Sequence, residues 1–128
     1  MLMTNEEIYT INSTLMETFK QEDNSHYFSA KINFLIQKNK KAIMNAAVDI
    51  EKVRMEIINK YKDENNNIPQ EHIEAVNKEL TDLLAIEQEV NIFTIPFESL
   101  EGIEFTSAQA NALMFMIEDP EEEEEDDE

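Results

Sequence analysis

Ile32-Asn33-Phe34-Leu35-Ile36-Gln37-Lys38-Asn39-Lys40-Lys41-Ala42-Ile43-Met44-Asn45-Ala46-Ala47-Val48-Asp49-Ile50-Glu51-Lys52-Val53-Arg54-Met55-Glu56-Ile57 is the stretch that decides the fold. Ile32, Ile36, Asn39, Ile43, Ala46, Ile50, Val53 and Ile57 recur in steps of 4-3-4-3-4-3-4, which is the seam of a coiled coil. Phe28, Phe34, Leu35, Met44 and Ala47 widen the apolar stripe, so the helix is expected to touch more than one neighbour. It contains neither Gly nor Pro, and Ser25 or Ser29 can cap its start. Running to about Tyr61, it would hold some 33 residues and span roughly 50 Å at 1.5 Å per residue. Asn39 is the one polar residue on the seam. It either fixes register and partner number at a cost in stability, or lies at the rim of a drifting seam.

Working outward, Lys62-Asp63-Glu64-Asn65-Asn66-Asn67 should end this helix, because Asn and Asp favour turns and left-handed backbone. Pro69 then suits a helix start, with Glu71 in the dipole-favoured first turn. Ile73, Val76, Leu80 and Leu83 stripe a helix over about 69–89, and Glu87 falls where the stripe should fray. Two striped helices with a short connection predict an antiparallel hairpin. On the other side, Thr4-x-x-Glu7 is a capping box for a helix over about 5–20, striped by Ile8, Ile11, Leu15 and Phe19. The polar residues 21–24 read as a loop.

After the hairpin the pattern changes. Val90-Asn91-Ile92-Phe93-Thr94-Ile95 is β-branched and aromatic, a strand signal that Pro96 ends or confines to an edge. Ser99-Leu100-Glu101-Gly102 reads as a turn, from which Ile103-Glu104-Phe105 can return as a second short strand. Thr106-x-x-Gln109 caps a last helix over about 107–117. There Met114 and Met116 flank Phe115 and either fill a core or line an adaptable binding surface. The expected fold is mainly α: a long antiparallel helical hairpin with short flanking helices and a small β-element near 90–105. A single helical domain should occupy 1–117, followed by a disordered acidic tail at 118–128. A homodimer through the long seam is the alternative to a bundle within one chain.

Composition agrees. One Gly and three Pro in 128 residues are too few for the tight turns of a sandwich or barrel. The absence of Cys removes disulfide and thiolate-zinc chemistry and fits a reducing, cytoplasmic setting in a host cell. Met1-Leu2-Met3 is followed at once by Thr4-Asn5-Glu6-Glu7, unlike a signal peptide. No apolar run approaches the roughly 20 residues that span a bilayer, so no membrane role is expected.

Charge is the other strong signal. The chain carries net −19, unevenly placed. Through Lys62, eight acids face nine bases; from Asp63 on, 21 acids face only Lys78. Ten of those acids lie in residues 118–128. Such a surface repels phosphates and anionic lipids, so direct nucleic-acid binding is not expected. The acidic run either solubilises the chain or baits a basic protein. A mimic of nucleic-acid phosphates would need acids on a rigid frame, for which Glu71, Glu74, Glu79, Asp82, Glu87 and Glu89 are the candidates. Glu121, Glu122, Glu123, Glu124 and Glu125 complete the candidate protein-binding set. Lys38-Asn39-Lys40-Lys41, the one basic cluster, reads as a solvated helix face.

No catalytic, cofactor or metal motif stands out. His26 and His72 have no zinc-motif spacing around them. Asp63-Glu64-Asn65-Asn66-Asn67 lacks the turn Gly and closing Glu of a calcium loop and reads as a turn. A chain with one Gly has no obvious place for a strained nucleophile turn or a phosphate-cradling loop. The reading is a protein that is not an enzyme, has no cofactor, and binds a protein partner.

Several segments together carry a resemblance. They are Lys38-Asn39-Lys40-Lys41, Ile57-Ile58-Asn59-Lys60-Tyr61-Lys62-Asp63-Glu64, Glu79-Leu80-Thr81-Asp82-Leu83-Leu84, Glu87-Gln88-Glu89-Val90-Asn91-Ile92, Leu100-Glu101-Gly102-Ile103-Glu104-Phe105-Thr106 and Leu113-Met114-Phe115-Met116-Ile117-Glu118. From Thr4 to Glu118 the chain is similar to small acidic proteins encoded by phages and prophages of low-GC Gram-positive bacteria. The shared segments are structural, so no functional residue is carried over. The resemblance implies a phage accessory protein, with virion assembly, host-takeover inhibition and anti-defence activity as the classes to expect.

Overall fold

The computed structural model describes residues 1–19 and 28–118. Strand β1 (Leu2–Thr4) leads into helix α1 (Asn5–Thr18); α2 (Ala30–Tyr61) and α3 (Gln70–Ala85) follow. Then come strand β2 (Glu87–Glu89), a 3-10 turn at Phe97–Leu100, helix α4 (Ser107–Leu113) and a second 3-10 turn at Met114–Met116. The fold is the mainly helical one expected, with the long antiparallel hairpin α2–α3 at its centre.

Each helix start has a local cause. The Thr4 hydroxyl accepts from the Glu7 amide at 3.1 Å, and the Glu7 carboxylate accepts from the Thr4 amide at 3.2 Å. Thr106 and Gln109 repeat the arrangement at 3.0 Å in both directions. Of the two candidate serines, Ser29 opens α2, accepting from the Ile32 amide. Between α2 and α3 the Asp63 carboxylate accepts from the amides of Asn65 and Asn67 at 2.8 and 3.0 Å. Asn66 takes the left-handed conformation at φ 64°. The loop is thus a turn closed by its own acid. Pro69 sits one residue before α3, its backbone preset for the helix that follows.

Helix α2 is the spine, about 48 Å long at 1.5 Å per residue. Helix α1 runs antiparallel along its middle: Tyr9 meets Glu51, and Phe19 meets Lys40. Helix α3 runs antiparallel along its second half, where Lys60 reaches Glu79 and the rings of Tyr61 and His72 lie 5.5 Å apart. The end of α3 meets the start of α1 at Asn5. Its buried amide group donates to the Leu83 carbonyl at 2.8 Å, and its backbone N–H donates to the Ile86 carbonyl at 2.9 Å. Helix α4 packs against α1 and closes the layer. Ile8, Leu15, Ile43, Ile95, Leu113 and Met116 form the fully buried centre.

This arrangement changes the seam. The residues of α2 that are buried are Ile32, Ile36, Asn39, Ile43, Ala47 and Ile50, in steps of 4-3-4-4-3. Eighteen residues in five steps is 3.6 per step, the period of a straight helix rather than of a supercoil. Ala47 replaces Ala46 at the centre, and Val53 is 41% exposed. α2 meets α1 from about Lys40 to Glu51 and the segment around Phe93 at Asn39, whereas its last turns meet α3. Burial therefore fades beyond Ile50.

The β-element also takes its own form. Helix α3 ends at Ala85, short of 89, because another turn would carry Glu87 into the interface. The chain instead straightens, and β2 pairs antiparallel with β1, Met3 opposite Gln88. Glu87 and Glu89 face outward, while Gln88 donates to the Asn5 side-chain oxygen at 2.7 Å. Val90–Ile95 joins no ladder. Its backbone groups find separate partners: Val90 N–H donates to Met1 C=O, and Ile95 makes an isolated parallel bridge with Ile117. Ile103–Phe105 is likewise not a strand; Phe105 packs its ring 5.5 Å from that of Phe28. Gly102, at φ 79°, turns the chain before it.

Candidate protein-binding surface

The buried polar residues show how the surface is organised. Asn39, fully buried, lies neither at a rim nor against another chain. Its amide donates to the Phe93 carbonyl at 2.9 Å and accepts from the Phe93 N–H at 2.7 Å. It pairs with one residue's backbone as a neighbouring strand would. Met116 resolves the two readings of the methionines: it is fully buried, its sulfur 3.3 Å from the same amide nitrogen, while Met114 is 67% exposed. Asn5 ties the end of α3 and Gln88 of β2 to α1, and Asn39 ties Phe93, in the connection between α3 and α4, to the spine. Asn5 drew no attention in sequence because it looks like one more residue beside a capping box.

With the inner face of α2 filled, its outer face becomes the feature of interest. Phe34, Met44, Val48 and Met55 point away from the core and are 60%, 46%, 59% and 41% exposed. On a helical wheel they fall on one side, opposite Ile36, Ile43 and Ile50. They run about 32 Å along α2 at 1.5 Å per residue, and exposed Met16 of α1 flanks them. Isolated exposed apolar residues are ordinary, whereas several on one side of a helix form a candidate contact surface. The sequence did contain the signal: Phe34 and Met44 were among the residues that over-widened the seam.

At the N-terminal end of this stripe, a cavity of about 440 Å³ opens between α1 and α2. Leu15, Met16, Phe34 and Met44 supply its apolar walls, and Lys38, Lys40 and Lys41 its charge. The Lys38 ammonium lies 5.9 Å from the centre of the Phe34 ring, and that of Lys40 lies 5.8 Å from Phe19.

The acids of α3 are not a uniform array. Glu71 and Glu74 are exposed. Asp82 is held by Lys78 at 2.8 Å, so the single base of the back half sits on the acidic face. Glu79 turns to α2 and pairs with Lys60 at 2.7 Å. The Lys60 ammonium and then the Tyr61 hydroxyl keep its carboxyl below the ordinary range. Glu87 and Glu89 project from β2. Glu121, Glu122, Glu123, Glu124 and Glu125 lie outside the described residues, as does the expected disorder of the tail.

A polar network ties α1 to α2. Arg54 grips Glu51 through Nε and Nη2 at 2.8 and 2.7 Å, and the Tyr9 hydroxyl donates to the same carboxylate at 2.8 Å. The Arg54 and then the Tyr9 hydrogen bonds bring the Glu51 pKa down to about 2. Burial and then the hydrogen bond to Glu51 push Tyr9 up to about 12. A depressed carboxyl stabilises the fold above its unfolded value. The Glu51 contribution should thus be complete above pH of about 4.5 and disappear as pH falls toward 2. Tyr9 works in the other direction, its share being present below pH 10.0 and lost toward 12. Because Glu51 is 45% exposed, solvent screening keeps the pair below about 1 kcal/mol. Glu51→Gln should therefore lose up to that amount at neutral pH and match the parent near pH 2, as checked by urea titrations across pH.

Among the described residues no group of three or more His, Cys, Asp and Glu side chains is placed to hold a metal ion. No described helix is long and apolar enough to cross a membrane. Comparisons of the chain with protein families, with curated proteins and with solved structures find no match.

Proposed function

We propose that this is a non-enzymatic phage accessory protein that acts by binding another protein, as in virion assembly, through the outer face of α2. The observation that carries the reading is the apolar stripe Phe34, Met44, Val48 and Met55, which the chain leaves open while filling the opposite face of the same helix. The phage setting rests on the resemblance from Thr4 to Glu118.

A second reading has its own support. Exposed Glu71 and Glu74 stand one turn apart on a rigid helix and suit an inhibitor of a basic, nucleic-acid-binding host protein. It is the weaker reading, since Lys78 and Lys60 neutralise the two other α3 acids of the candidate set.

The two readings separate by mutation. Val48→Glu with Met55→Glu places charge on the stripe without touching the core. Partner capture from phage-infected lysate should fall at least about tenfold, a loss of some 1.4 kcal/mol, with unfolding midpoints unchanged. Unaltered capture by this variant, together with loss on Glu71→Gln and Glu74→Gln, would transfer the function to the acidic face.

A further inference from the structure

The apolar stripe on α2 carries a charge of its own, opposite in sign to that of the chain. From Phe34 to Met55 the helix holds Lys38, Lys40, Lys41, Lys52 and Arg54 against Asp49 and Glu51, five bases against two acids, or +3 within a net −19. Glu51 is taken by Arg54, so Asp49 is the one exposed acid of this segment. Lys60 and Lys78 hold acids elsewhere, but among the described residues none of Lys38, Lys40, Lys41 and Lys52 is paired with a carboxylate. At 100° per residue, Lys41 falls within the stripe, Lys38 and Lys52 along one edge of it, and Lys40 along the other. Phe34, Lys41, Met44, Val48 and Met55 stand in steps of 7-3-4-7, the spacing by which one helix presents a side to another.

We propose that the partner lays an amphipathic helix on this face, its apolar side chains on the stripe and its flanking Asp and Glu on Lys38, Lys41 and Lys52. This rests on the function proposed above and names the chemistry of its partner. The groove at the end of the stripe has the same mixed character. Leu15, Met16, Phe34 and Met44 offer a bulky apolar side chain its walls, and Lys38, Lys40 and Lys41 in the same lining suit carboxylates beside that anchor. A purely acidic segment would leave the apolar walls bare, and a purely apolar helix would cover the lysines without pairing them.

A second copy of the chain fits less well. Parallel pairing sets each lysine against its own equivalent, and antiparallel pairing with Met44 against Val48 sets Lys38 beside Lys52. The rest of the chain, −22 by difference from −19 and +3, does not reverse the preference at physiological salt, where charges act over only about 8 Å.

Two synthetic helical peptides with one leucine stripe, flanked by glutamate in the first and by lysine in the second, test the contact by fluorescence anisotropy on the intact chain. At about 0.15 M salt the glutamate-flanked peptide should bind at least about tenfold tighter. K38E/K41E/K52E should reverse the preference. At about 0.5 M, where the Debye length is about 4 Å, the preference should shrink while binding through the leucines persists. Val48→Ser with Met55→Ser, which adds no charge, should weaken both peptides. Equal affinities or a preference for lysine flanks, with both lost in the serine variant, would overturn the acidic partner and leave the outer face of α2 as a contact surface. Affinities unchanged in the serine variant, or no binding of either peptide, would overturn the proposal together with its use of that face. Dimerisation of the chain that the serine variant abolishes would assign the face to a second copy instead.

Discussion

Asn39→Leu should lower the free energy of unfolding by about 2 kcal/mol, because it unpairs two part-buried backbone groups at roughly 1 kcal/mol each. Those groups are the N–H and C=O of Phe93, both paired only with the Asn39 amide within the described contacts. Leu has nearly the shape of Asn and no polar atom, so the loss reports the hydrogen bonds and not a cavity. Urea denaturation with an unchanged m-value would measure it. Asn39→Asp separates the terms further. Its carboxylate can accept from the Phe93 N–H but offers no donor to the carbonyl, and burial disfavours its charge. Burial raises its folded-state pKa above the ordinary value of about 3.9. This variant should therefore be least stable at neutral pH and regain stability as pH falls and the carboxyl protonates.

The second large effect contrasts two positions three residues apart. Ile50→Ala should cost about 2–4 kcal/mol, the usual result of emptying a fully packed aliphatic site. Val53→Ala should cost under about 0.5 kcal/mol, as surface substitutions do. Ile50 is 3% exposed and Val53 is 41% exposed, although a strict heptad seam would bury both. Equal costs at the two positions would mean that α2 follows the 3.5-residue period and carries a supercoiling partner along its whole length.

That contrast also marks what the sequence could disclose. Helix starts were legible because capping is local: Thr4 with Glu7, Ser29, and Thr106 with Gln109 each act within one turn. The hairpin was legible because Asp63 closes its own turn. Whether a seam keeps period 3.5 or relaxes to 3.6 depends on what covers it, and no residue of α2 encodes where α1 ends and α3 begins. Val90–Ile95 had every local mark of a strand. Its hydrogen bonds depend on Met1, Asn39 and Met116, which are distant in sequence. Asn5 and Asn39 perform equivalent work, yet only Asn39 stood out, since it interrupts an apolar stripe and Asn5 does not.

The candidate surface divides in the same way. The acidic residues were visible by composition, but their pairing with Lys60 and Lys78 required the fold. The apolar stripe was visible as an excess of hydrophobic residues on α2. Only the packing of α1 and α3 decides that Phe34, Met44, Val48 and Met55 are among those left outside.

The most direct test of partner binding through the outer face of α2 is its dependence on salt. The measurement is capture from phage-infected lysate on the immobilised full-length chain, at low salt and at about 0.5 M, where the Debye length is about 4 Å. An apolar contact predicts that one phage-encoded protein is retained at both salt concentrations. A basic nucleic-acid-binding protein retained only at low salt would contradict the account and assign the function to the chain's acids.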